Sequence, residues 1–239
     1  MNSEISVICR ECKQDGTGNY CSRCGASLHV KKISMANLFH EIFHFFTHLD
    51  KGILYTIKKL FSSPGHMQQE YVEGYRSKHQ KPFSFFFITA TLTGLSLYWI
   101  NMVIKKIYDD ANMAQGAFFH EYMIFLLLFS LPYVTLLTWI AFYRSKYNFA
   151  EIGILILYTM PMIFLIVIFA NCTRIIFNDF ETRIIEFPLI LIYSVITNIN
   201  FFRTEPRWQV ILKTVVITSL FFLTVTYIQD QVVELYFKT

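Results

Sequence analysis

Charge is the scarce material in this chain. Asp, Glu, Lys and Arg make up 16% of its 239 residues, against 54% hydrophobic and 18% aromatic. An ordinary soluble domain cannot bury that much apolar side chain. The scarce charge is also unevenly spread, since 11 of the 21 Lys and Arg precede residue 83. No dense Lys/Arg run and no Arg–aromatic alternation is present, so nucleic acid is not an expected partner despite the net charge of +4. A Walker loop, a dinucleotide fingerprint and a Ser nucleophile elbow are all missing, which removes the commonest nucleotide-binding and hydrolase readings. The start, Met-Asn-Ser-Glu, lacks a charged region followed by an apolar core. The N-terminal head is therefore expected in the cytosol.

What is present falls into three parts: a head over 1–30, an amphipathic helix and linker over 31–82, and a helical membrane bundle over 83–239. In the head, four of the five cysteines form Cys9-x2-Cys12-x8-Cys21-x2-Cys24. Two such knuckles set four thiolates for one closed tetrahedral site, and the expected cofactor is one structural zinc per chain held by Cys9, Cys12, Cys21 and Cys24. Gly16, Gly18 and Gly25 allow the turns that aim the sulfurs inward. The alternative, two disulfides, fits poorly with a reducing cytosol.

Between 34 and 61, Leu38, Ile42, Phe45, Leu49, Ile53, Ile57 and Leu60 recur at spacings of three and four. This predicts an amphipathic helix lying in the membrane interface or docked on the bundle. Pro64-Gly65 ends it. Five apolar runs follow, at about 83–104, 121–143, 149–172, 184–202 and 208–228, each long enough for a bilayer core that needs roughly 20 residues. The fold class is thus an all-α polytopic membrane protein with about five transmembrane helices, a small zinc-ribbon head and an interfacial helix. The fourth run carries Glu186, Pro188, Asn198 and Asn200, which leaves a broken or re-entrant helix open there. With the head in the cytosol, 16 basic residues fall on its side and 5 on the other. The positive-inside rule then puts the N-terminus in the cytosol and Thr239 across the membrane.

The linker reads Asp50-x-Gly52-x3-Thr56-x3-Leu60-x3-Pro64-Gly65-x5-Tyr71-x2-Gly74-x-Arg76-x5-Pro82. Together with the paired knuckles, over roughly residues 9 to 95, it resembles the domain-of-unknown-function family numbered 3667. That resemblance implies a bacterial inner-membrane protein and brings no established activity with it. Two readings of the linker stay open: a structural elbow, or a lipid-phosphate site around Tyr71, Arg76 and Lys78.

His40-Glu41-Ile42-Phe43-His44 matches H-E-x-x-H on an expected helix, with His48 one turn on. The chemistry places two imidazoles on a zinc and a carboxylate on its water, with Glu70 or Glu73 as candidate third ligand. A solvated helix face is the plainer account of His40, Glu41 and His44, so no catalytic residue is favoured. Inside the spans, Ser96, Asn101, Asn171, Cys172, Asn198 and Asn200 suit interhelical contacts, and Lys213 suits snorkelling to the interface. The expected function is a non-enzymatic membrane scaffold or complex subunit. An oligomeric channel or transporter and an H-E-x-x-H metalloprotease are the alternatives. Expected partners are the lipid bilayer and a second copy or another membrane protein.

Overall fold

In lipid, a backbone amide has no water to turn to, so an apolar run must satisfy its N–H and C=O groups internally, and a helix does so. The computed structural model describes residues 7–28, 52–108, 129–177 and 180–238. The head has two short strands, β1 (Val7–Ile8) and β2 (Asp15–Gly16), paired antiparallel with Val7 opposite Gly16 and Ile8 opposite Asp15. Helices α1 (Ile53–Ser62) and α2 (His66–Glu73) follow. Then come α3 (Pro82–Tyr108), α4 (Phe129–Ala141), α5 (Phe149–Cys172), α6 (Arg183–Phe201) and α7 (Arg207–Lys238).

Helices α3, α5, α6 and α7 are each long and apolar enough to cross a membrane. The expected second span, 121–143, is described only from 129, where α4 is helical. The fourth run, for which the sequence leaves a broken or re-entrant helix open, is one continuous helix, α6. Pro188 sits near its N-terminus, where few backbone hydrogen bonds are at stake. Its polar residues are tied to neighbours: Asn171 Nδ2 donates to Glu186 Oε1 at 3.2 Å, and Asn198 Nδ2 to Thr214 Oγ1 at 3.0 Å. The first and last helices overrun their expected ends, α3 continuing through Lys105-Lys106 to Tyr108 and α7 to Lys238.

Helix α5 is the axis of the bundle. Its apolar residues surround it without a polar stripe, the pattern of a helix buried on all sides, and 67% of its most apolar window is buried against 17% for α7. Asn148 caps its start: Glu151 N donates to Asn148 Oδ1, and Asn148 N to Glu151 Oε2, both at 2.9 Å. Helices α3 and α6 pack on α5, and α7 packs on α6. The joints at one end are aromatic, with Phe142 and Phe202 stacked 3.9 Å apart and Tyr147 against Phe201 at 4.3 Å. That end also carries the head, the α1–α2 linker and the α4–α5 and α6–α7 turns. At the opposite end, Tyr108 Oη donates to the Ile175 carbonyl at 3.0 Å, and Arg183 pairs with Asp230 at 2.6 Å.

Of the amphipathic stripe expected over 34–61, residues 34–51 lie outside the described residues, and the rest forms α1, capped by Gly52. A side chain there would meet the Gln80 N and Lys78 O atoms at 2.9 Å, so glycine lets two backbones touch. Helix α1 lies on the end of the bundle through Thr56 and Leu60, both fully buried, while Leu54 and Phe61 stay exposed.

Candidate functional site

The two knuckles of the head are built alike. The Lys13 amide donates to the Cys9 carbonyl at 2.9 Å, and the Gly25 amide to the Cys21 carbonyl at 2.9 Å. Lys13 and Gly25 both take positive φ, 61° and 72°, which folds each loop back over its first cysteine. The result brings the four sulfurs within 4.8 Å of one another, with Cys9–Cys24 and Cys12–Cys21 each at 3.6 Å. A regular tetrahedron with metal–sulfur bonds of about 2.3 Å has edges of about 3.8 Å, so the cluster has the dimensions of a metal site. All five cysteines are free thiols, which leaves the disulfide alternative unsupported.

Electrostatics favour the same use. The amides of Cys24 and Arg23 draw the Cys21 thiol down to about 6. Cys24 goes the other way, to about 12: the Ala26 amide lowers it, but desolvation and the crowding sulfurs of Cys9, Cys21 and Cys12 outweigh that. Cys21 gives up its proton readily and Cys24 resists, and a dication removes the conflict. These four residues could hold one metal ion.

The metal loop is also a clip. Arg10 Nη1 donates to the Glu73 carbonyl, Ser77 N donates to Glu11 Oε1 at 3.4 Å, and Lys13 Nζ donates to Tyr75 Oη at 3.3 Å. Three residues within or beside the first knuckle thus grip the last residue of α2 and the chain just after it. Sequence reasoning missed this contact; the one available signal was the charge of Arg10, Glu11 and Lys13 in a loop whose cysteines face inward.

Beneath the clip, the linker pattern is spent on internal structure. Thr56 Oγ1 accepts from the buried Gln80 amide at 2.9 Å, and the Gln80 carbonyl accepts from Tyr158 Oη at 2.5 Å, joining α1 to α5. The Pro64 carbonyl accepts from Asn200 Nδ2 at 2.8 Å. Gly65 has φ +81° and lies so close to α6 that a Cβ would meet the Thr197 carbonyl oxygen at 2.2 Å. Tyr71 meets Tyr158 edge to face at 5.3 Å, and Gly74 ends α2 with φ 110°.

Arg76 turns toward this assembly: its Nε donates to the Tyr71 carbonyl at 3.0 Å and its guanidinium lies 5.5 Å from the Tyr71 ring centre. Of the three residues considered for lipid phosphate, Tyr71 is buried, Arg76 is engaged and Lys78 alone is exposed. His79 packs between Tyr55 and Tyr71, and burial pulls it down to about 4, so it is neutral at physiological pH. Of the candidate third ligands, Glu73 belongs to the clip region: Gln69 Nε2 donates to it at 2.9 Å and Lys146 lies 3.8 Å away. His40, Glu41, His44 and His48 lie outside the described residues. Lys213 pairs with Glu205 at 2.7 Å and lies 4.7 Å from the Phe142 ring centre, at the head end of α7.

No curated protein and no solved structure matches the chain. The elbow and the first half of α3, without the head, match a family model: residues 50–94 fit the family described as protein of unknown function (DUF3667).

Proposed function

We propose that this protein is a non-enzymatic membrane scaffold that presents a zinc-organised head as a docking module on the cytosolic face of a bacterial inner membrane. The observation that carries the reading is the clip: Arg10, Glu11 and Lys13 fix the head to residues 73–77 of the elbow. A head locked to the membrane domain presents its outer surface at a constant height and angle, as a docking module requires. Zinc is the metal that suits four thiolates in a closed tetrahedral site. The basic loops Arg144–Lys146 and Arg203–Arg207 share the head's end of the bundle, in keeping with a cytosolic face.

The test is to purify the intact chain and a Cys12→Ser/Cys24→Ser variant from membranes and compare what accompanies each. A partner, or a second copy, present in fixed ratio with the intact chain and lost from the variant while the spans remain inserted supports the scaffold. Selective ion or solute flux through liposomes holding the purified chain alone would replace it with the channel reading.

A further inference from the structure

Near the middle of the bilayer-spanning region, where α4, α5, α6 and α7 meet, the packing leaves a partly open cavity of about 40 Å³. Its wall is mainly apolar, but five polar side chains reach it, one or more from each helix: Thr138, Thr159, Ser194, Asn198 and Thr218. Thr159 and Ser194 sit close to the midpoint of their helices, and Thr218 close to the midpoint of the apolar stretch Arg207–Gln231 of α7.

The hydrogen bonds of these groups say what the cavity can take. Thr138 Oγ1 donates to the Val134 carbonyl at 2.8 Å, Thr159 Oγ1 to the Leu155 carbonyl at 2.7 Å, and Asn198 Nδ2 to Thr214 Oγ1 at 3.0 Å. The two threonine protons are spent on backbone carbonyls and no charged donor lines the space, so an anion would lose more hydration than it regained. Ser194 and Thr218 are only 8% and 7% exposed, and neither hydroxyl has a hydrogen-bond partner among the described residues. At the same level Pro161 has no N–H, which deprives the Leu157 carbonyl of its helical donor. No carboxylate lines the space, and a bare cation in a mostly apolar wall with few oxygens would lose more hydration than it regained.

The geometry points to an intramembrane water site: one to three waters, bridging the free hydroxyls of Ser194 and Thr218 to the oxygens of Thr159 and Asn198. A buried water needs roughly 10 to 15 Å³ and two to four polar partners, and both conditions are met. Bound there, water completes the polar contacts between the α6–α7 pair and the central helix, so the bundle's middle layer is hydrated. This inference is independent of the head and of the scaffold reading.

Radiolytic hydroxyl-radical labelling of the full chain in lipid nanodiscs tests it, because radicals formed from a buried water mark the side chain beside it. Met160 lines the cavity; Met162, on the same helix and equally buried, does not. Met160 is expected to label several-fold faster than Met162, and in a Ser194→Ala/Thr218→Val variant that retains the wild-type melting profile the rate should fall to that of Met162. Equal protection of the two methionines in the wild type would show a dry cavity and overturn the site. So would labelling that persists in the double variant, or a sodium- or potassium-dependent rise in melting temperature that the double variant abolishes.

Discussion

Gly65→Ala isolates the joint between the elbow and the bundle. Two costs arise together. At φ +81° and ψ −43° an L side chain is strained, typically by 1 to 3 kcal/mol. The new Cβ would also lie 2.2 Å from the Thr197 carbonyl oxygen and 2.6 Å from Asn200 Cβ. The first neighbour is helix backbone and cannot rotate away, so α2 must lift from α6. Overpacking of this kind costs about 1 to 3 kcal/mol. Lifting also breaks the bond from Asn200 to the Pro64 carbonyl, for a total of about 3 to 6 kcal/mol. Gly94→Ala is the control: it lies within α3, and a Cβ there meets nothing within 4 Å. It should be neutral or stabilising by up to about 1 kcal/mol. Thermal unfolding in nanodiscs, followed through Trp99, Trp139 and Trp208, compares the two. Equal melting temperatures for Gly65→Ala and Gly94→Ala would refute the account of the joint.

Three further outcomes follow from particular groups. His79 titrates near 4 in the folded protein against an ordinary value of 6.5, held down by burial and by Lys59 and Lys78 and only partly opposed by Glu11. Its neutral form therefore stabilises the fold fully above about pH 6.5, and that contribution is lost as pH falls toward 4. His79→Gln should flatten the fall in melting temperature across this window, and an unchanged slope would reject the assignment. Glu41→Gln should keep the wild-type metal content and show none of the phenotype of a deletion, because on the expected solvated helix face a polar change shifts stability by less than about 0.5 kcal/mol. A second zinc at His40 and His44 together with a null phenotype would favour the metalloprotease instead. A reporter fused after Thr239 should be active only on the far side of the membrane from the head, and activity on the head side would mean an even number of spans.

Periodicity and apolar run length made the helices legible, because a run of about 20 residues in lipid has few conformations open to it. They did not mark the exact ends of α3 and α7, since Lys105 and Lys106 can sit in a helix that projects past the hydrocarbon. The knuckle cysteines were legible because four thiols at that spacing have few other uses. The linker pattern could be seen but not interpreted. Gly52 and Gly65 owe their identity to contacts with residues 78–80 and 197–201, and Arg76 is drawn inward by the Tyr71 carbonyl. Local sequence carries no sign of such distant neighbours. The cavity depends on four helices meeting at one level, which no single segment encodes.

The central claim is that the head is a metal-organised unit, and zinc counted per chain tests it most directly. Elemental analysis of the full-length protein, normalised to protein mass, should give one zinc per wild-type chain and none in Cys12→Ser/Cys24→Ser with the spans still inserted. A wild-type chain purified without metal, or a double variant that keeps its zinc, would contradict the account.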